Sequence, residues 1–193
     1  ASNAAVSLAL FDAQGRIVSW ETQMWLPNNI PGNRALLGVE GAGISQDHGQ
    51  GAGLMTMNGD PPYASLNTRV LVHYLADSAL RISNLRAPGK IANVFAVESF
   101  TDEMAAAAGA DPVEFRLRAL SDPRAIEVLK PAVEMIGWQA RPTPNPRAAQ
   151  GNLLTGRGIA YMRYKQNENY VALAMEVAVD RASGRIDVRR ITC

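Results

Sequence analysis

An α+β fold is predicted for this chain of 193 residues. Three observations carry that reading. Alternating apolar residues open the chain, a block of well-punctuated helical segments fills its middle, and three alternating segments close it. Strands and helices are therefore segregated along the sequence rather than interleaved, which favours α+β over a doubly wound parallel sheet.

Residues Ala5 to Leu26 read as a hairpin, because Val6, Leu8 and Leu10 alternate, Asp12 to Gly15 supplies a turn, and Ile17 to Trp20 resumes the strand. A Gly/Pro/Asn-rich stretch from Pro27 to Tyr63 follows. Its length exceeds an ordinary connection, so it is expected to be functional or to pack against something beyond this chain. Thr68 to Leu75 reads as a further strand.

Lys90 to Ala108 is predicted as a helix stopped by Gly109. Asp111-Pro-Val-Glu114 is a capping box with proline at the first helical position, opening a helix to Leu120. Asp122-Pro123 repeats the device for a helix towards Trp138. Pro131 lies inside that pattern and is expected to kink or break it, because it removes a backbone donor. Gln139 to Gln150 holds three prolines and reads as a linker. Antiparallel strands are expected over Arg157–Tyr164, Tyr170–Val179 and Arg185–Thr192, with a turn at Asp180 to Gly184. The last runs straight to Cys193 without a closing turn, which reads as an internal fragment of something longer.

Composition narrows the function classes. Hydrophobic residues make up 47% and charged residues 19%, an ordinary globular balance that argues against disorder. The formal charge of +1 gives no electrostatic footprint for nucleic acid. No apolar run approaches the ~18 residues that span a bilayer. Cys193 is the only cysteine, so no intrachain disulfide or cysteine-ligated cluster can form, and His48 and His73 alone make no metal site.

Several tempting signals read as ordinary loops. Gly41-Ala-Gly43 and Gly49 to Gly53 complete no phosphate-binding fingerprint. A small hydrolase using a serine with Asp47 and His48 lacks a nucleophile elbow. Leu85-Arg-Ala-Pro-Gly89 is different. It is a sharp loop before a long helix, where Pro88 fixes a dihedral, Gly89 admits close backbone approach, and Arg86 sits near the positive helix end. On that helix, Glu98 shares a face with Ile91, Val94, Phe95 and Ala105, and Asp102 follows one turn on. Val97, Phe100 and Met104 cover much of the other side, so the helix is expected to be apolar nearly all round and buried. Glu98 and Asp102 then need basic or backbone-donor partners, with Arg86, Arg116, Arg118 and Arg124 as candidates, and they read as structural acids.

The run from Leu85 to Arg116, continued by Asp122 to Arg124, Gly137-Trp138, Gly156 to Ala160 and the strands from Val171 to Ile191, resembles a known family. It is similar to the molybdenum-cofactor-binding large subunit of the xanthine dehydrogenase/aldehyde oxidase family, and most similar to the isoquinoline 1-oxidoreductase β-subunit and aldehyde dehydrogenase branch. The match covers roughly residues 61–193. Gly38 to Gly43 mimics a family glycine-rich loop but is out of order, which makes Glu40 a decoy.

This resemblance implies a fragment of the molybdenum-cofactor-binding region. Its parts would be N-terminal strands and a Gly-rich loop over 1–85, the arginine loop and helices over 86–138, a linker over 139–150, and strands of a second subdomain over 151–193. It also implies hydroxylation of an N-heterocycle or aldehyde with water-derived oxygen. Arg86 would be catalytic, and Arg86, Ala87, Pro88 and Gly89 would bind the cofactor. That cofactor would be molybdenum–molybdopterin cytosine dinucleotide in the full-length enzyme, with none bound to this fragment. The implied partners are a small [2Fe-2S] subunit, an electron acceptor such as a cytochrome, and a small-molecule substrate. The family's acid–base glutamate is expected beyond Cys193, so the fragment alone is expected to be inactive. The alternative is a non-catalytic assembly or partner-binding module of the same ancestry.

Overall fold

The computed structural model describes residues 4–27, 58–75, 86–87, 89–140, 149–165 and 167–193. The Gly-rich segments at 41–43 and 49–53, and with them Glu40, Asp47 and His48, lie outside the described residues, as does Pro88.

The first sheet has the order β1 (Ala4–Phe11), β2 (Ile17–Pro27), β3 (Asn67–Leu75). β1 and β2 form the expected antiparallel hairpin. Its turn closes because the Asp12 carboxylate accepts hydrogen bonds from the backbone N–H groups of Gln14 and Arg16 and from Arg16 Nε. Gly15 takes φ 73°, a conformation that costs glycine little. β3 adds to β2 in parallel, from Ser19 opposite Asn67 to Pro27 opposite Leu75. Trp20, Thr22 and Met24 turn inward and are buried, as period-two alternation requires.

Three helices follow: α1 (Lys90–Ala107), α2 (Pro112–Ala119) and α3 (Pro123–Ile136). Gly109 ends α1 in the left-handed region, with Ala110 N–H reaching back to Ala105 O at 2.9 Å. Asp111 caps α2 by accepting from Val113 N–H at 2.9 Å and Glu114 N–H at 3.2 Å. Asp122 caps α3 through Arg124 N–H at 3.0 Å. Both Asp-Pro pairs thus start helices where the sequence places them.

Pro131 does not break α3, which runs continuously from Pro123 to Ile136. The proline ring is exposed, while Ala125, Leu129, Ala132 and Ile136 form one buried stripe that holds the helix together from its other face. Packing of that stripe outweighs the lost hydrogen bond.

The second sheet has the order β4 (Ala149–Gln150), β5 (Leu153–Tyr164), β6 (Asn169–Asp180), β7 (Ile186–Thr192), antiparallel throughout. α3 lies across its inner face, over Ala172, Ala174 and Ala178, and Thr192 Oγ1 donates to Ala132 O at 3.1 Å. The small β6 residues are what allow a helix to sit so close. On the other face, Ile186, Val188 and Ile191 of β7 are exposed.

The core joins both sheets to α1. Trp20 of β2 stacks on Tyr63 at 6.2 Å and meets the edge of Phe100 at 5.5 Å, and Tyr63 in turn packs edge-on against Tyr161 of β5 at 6.5 Å. Trp20 Nε1 donates to Thr22 Oγ1 at 2.8 Å, so the buried indole keeps a partner.

α1 departs from the all-round burial expected of it. Ile91 and Phe95 are 67% and 77% exposed, whereas Lys90, Asn93, Glu98 and Thr101 are buried. The helix turns these four polar residues inward and two of its large apolar ones outward. Hydrogen-bond partners inside the core reverse the assignment that hydrophobicity alone would give.

Candidate functional site

Three parts of the chain meet along the buried face of α1. The first is the corner that precedes it. Arg86 is exposed, and Ala87 is held at φ 59°, a left-handed conformation that L side chains rarely adopt. Gly89 follows at φ 73° as the N-cap, and no side chain caps the helix. Lys90 N–H donates to Ala87 O at 2.9 Å, and Asn93 N–H to Gly89 O at 3.2 Å. The chain therefore turns sharply into α1, leaving Arg86 outside and an uncapped, partially positive helix end beside it.

The second part is a clamp behind that corner. Asn93 Nδ2 donates to Asn58 O at 3.0 Å, and Lys90 Nζ reaches the same oxygen at 3.5 Å. Asn58 Oδ1 accepts from Lys165 N–H at the end of β5, at 3.1 Å. One asparagine thus ties the first turn of α1 to the second sheet. Arg163 of β5 pairs with Asp60 at 3.5 Å beside it. Burial pushes the Lys90 ammonium below its ordinary value, with Asp60 opposing and Arg163 reinforcing that shift.

The third part is a charge network two turns further along. Glu98 Oε2 accepts from Arg116 Nε at 3.0 Å and from the backbone N–H of Tyr161 at 2.8 Å, and its Oε1 accepts from Tyr63 OH at 2.6 Å. Arg116 is fully buried. Its remaining donors reach Asp102 Oδ1 at 2.6 Å, Pro112 O at 3.0 Å and Glu98 O at 3.1 Å. Burial pushes the Glu98 carboxyl upward, and the Arg116 guanidinium and the three hydrogen bonds oppose it. Burial also lifts the Tyr63 phenol well above its usual value, helped by the neighbouring carboxylate. Among the described residues no buried side-chain donor or acceptor lacks a partner, which is what makes the buried charge tolerable.

Glu98 and Asp102 are thus brought together by Arg116, one of the four candidate arginines. Arg86 and Arg124 are exposed and make no part of this network, and Arg118 points elsewhere, over the Phe115 ring at 5.8 Å. His73 stacks on Trp25 at 4.8 Å and lies 3.3 Å from Gln23 Oε1. Among the described residues no group of three His, Cys, Asp or Glu side chains converges as a metal site. Sequence reasoning does not single out Tyr63, Asn58 or Lys90. Lys90, Asn93, Val97 and Glu98 share one helical face, a periodicity that could have flagged the lysine and asparagine.

The arrangement is an α+β unit that presents a strained cationic corner on a charge-locked helix. No family model matches the chain. A nicotinate dehydrogenase subunit from Pseudomonas putida is 35% identical over 189 residues, covering 93% of this chain and 15% of that protein. The β-subunit of isoquinoline 1-oxidoreductase from Brevundimonas diminuta is 37% identical over 51% of the chain and 12% of its own length. The aldehyde oxidoreductase molybdenum-binding subunit of Escherichia coli is 34% identical over 39% and 12% respectively. Aldehyde oxidoreductase from Desulfovibrio gigas shares the fold over 76% of the chain and 16% of that structure, with a TM-score of 0.50 and 19% identity. The unit is that of a large-subunit segment among redox enzymes. The chain belongs to the molybdenum hydroxylase family, and it spans about 15% or less of the length of each of these curated relatives.

Proposed function

We propose that this chain is part of the catalytic subunit of a molybdenum-dependent oxidoreductase that hydroxylates an N-heterocycle or an aldehyde with water-derived oxygen, and that it is inactive alone. The observation that carries this reading is the corner at residues 86–89. Two left-handed residues, an uncapped helix end and an exposed guanidinium converge there, on a helix that Arg116 and Glu98 anchor two turns further on. These features fit an electron-rich group. Ala87 and Gly89 would let it approach the backbone, and the helix end would favour its negative charge. The molybdenum–molybdopterin cytosine dinucleotide cofactor, when bound, would supply the two-electron oxidation. Arg86 would donate hydrogen bonds to a substrate heteroatom and stabilise charge that develops in the transition state. Glu98 and Asp102 would act structurally, by fixing α1 through Arg116. Partners of the whole enzyme would be a small [2Fe-2S] subunit and an electron acceptor such as a cytochrome. The functional parts would be 1–85, 86–138, 139–150 and 151–193.

The test is turnover normalised to bound molybdenum in the longer enzyme that carries this segment. Arg86→Ala is expected to lower the normalised rate by roughly a hundredfold with little change in melting temperature, and Arg86→Lys to restore only part of it. An unchanged normalised rate, with molybdenum loading and melting temperature falling together, would make the corner structural.

A further inference from the structure

A second feature lies away from α1, where the β1–β2 turn meets α2. A cavity of about 300 Å³ opens there, and two of its lining residues are bridged by a hydrogen bond from Ala64 N–H to Ala119 O at 2.7 Å. Its walls are apolar, chiefly Ile17, Ala64, Phe115 and Ala119, and it shares no lining residue with the corner at 86–89. Leu66 stands at its rim, 81% exposed, an apolar side chain turned to solvent. The volume is at the lower end of the range for small-molecule sites.

Two guanidiniums border the cavity, and they differ. Arg16 is neutralised, because its Nε lies 2.7 Å from Asp12 Oδ2. The other Asp12 oxygen takes the N–H groups of Gln14 and Arg16, so three of the four donors that the carboxylate can accept come from its own turn. These bonds hold the Asp12 carboxyl below the usual carboxylate range. Arg118 lies over the Phe115 ring and against Gly15, whose missing Cβ would sit 3.7 Å from the guanidinium. Among the described residues it makes no ion pair or hydrogen bond. One guanidinium without an ion pair among the described residues thus borders a mainly apolar cavity.

We propose that this cavity binds a small organic monocarboxylate with an apolar body, its carboxylate paired to the Arg118 fork and its body seated against Ala64 and Leu66, the exposed apolar residues of the lining. A guanidinium matches a carboxylate in bidentate geometry. A single positive charge favours a monoanion over a phosphate dianion, and the apolar walls favour an aromatic or branched body over acetate. This site is independent of the proposed chemistry at Arg86.

Benzoate, benzamide and acetate titrated into the 15N-labelled chain form the test. Benzoate is expected to bind saturably, to shift the amides of Ile17, Ala64, Leu66 and Ala119, and to weaken as salt is raised. Benzamide and acetate should each bind at least about tenfold more weakly. Arg118→Gln should abolish benzoate binding while the rest of the spectrum stays folded, Arg118→Lys should keep part of it, and Arg16→Gln should leave it unchanged. Benzoate shifts that fall elsewhere, or persist in Arg118→Gln, would overturn the proposal. Equal binding of benzamide would overturn it too, marking instead an apolar groove that another polypeptide covers.

Discussion

The two ends of the buried face of α1 solve the problem of buried charge in opposite ways. At Glu98 a carboxylate meets three donors, and Arg116 commits its fork to Asp102, Pro112 O and Glu98 itself. At Lys90, next to the corner, a buried ammonium with three donors makes one hydrogen bond among the described residues, a long one of 3.5 Å to a carbonyl. The contrast teaches where rigidity lies. The middle of the helix is anchored to α2 and β5, while its N-terminal turn rests on two asparagine contacts and a poorly satisfied cation. The helix thus has a firmly anchored middle and a less densely bonded N-terminal turn.

Breaking the anchored end should have the largest effect. Arg116→Ala leaves Glu98 buried without its cation, and is expected to cost about 3–5 kcal/mol in urea unfolding. That is a large part of the stability of a small domain. The paired variant Glu98→Leu with Arg116→Met should recover only part of the loss, because it removes both buried charges but leaves Tyr63 OH and the Tyr161 N–H without their acceptor. A cost for Arg116→Ala below about 1 kcal/mol would place this network with exposed ion pairs and erase the contrast. A smaller effect is expected where α2 begins. Asp111 caps two backbone N–H groups with Oδ1 and accepts from Trp138 Nε1 at 3.1 Å with Oδ2, so it ties α2 to the end of α3. Asp111→Ala should cost about 1–2 kcal/mol, and Asp111→Asn should recover most of that loss.

Much of this frame was legible in the sequence. Asp111-Pro112 and Asp122-Pro123 begin helices by local chemistry, and Gly15 and Gly109 end elements by local conformation, so neither needs the rest of the fold. The burial of Glu98 with an arginine could also be read, since a carboxylate among apolar residues demands a partner. Which arginine could not. Arg116 is selected because α2 packs on α1, a fact of tertiary structure rather than spacing. The backbone N–H of Tyr161, 63 residues away, is invisible to any pattern of side chains. Ile91 and Phe95 misled for the same reason. Periodicity finds the two faces of a helix, but partners inside the core decide which face turns inward.

The smallest expected effect sharpens the comparison most, because its sign differs from that at Arg116. Burial lowers the Lys90 ammonium from its ordinary value, so the unfolded chain holds that proton to higher pH than the folded one. Between the two values the unfolded state carries more protons, and this group's contribution to stability rises with pH. Lys90→Met keeps the aliphatic stem and removes the charge. At pH 7 it is expected to be as stable as the wild type or more stable by up to about 1 kcal/mol, the reverse of what losing Arg116 does. The gap should narrow as pH climbs towards the ordinary lysine value of about 10.4, because the folded wild type gives up this proton before the unfolded chain does. Tyr63 and Tyr161 also titrate at high pH, with folded values pushed upward, but they do so in both proteins and cancel in the difference. Asn93→Ala separates charge from clamp, since it removes the 3.0 Å bond to Asn58 O and leaves the ammonium, and it should destabilise at every pH alike. Urea unfolding of wild type and the two variants at pH 7, 9 and 10 reads all of this. A Lys90→Met variant that is less stable than wild type at pH 7, by an amount that does not change with pH, would show a well-paired cation at the tip and make the two ends of the helix the same.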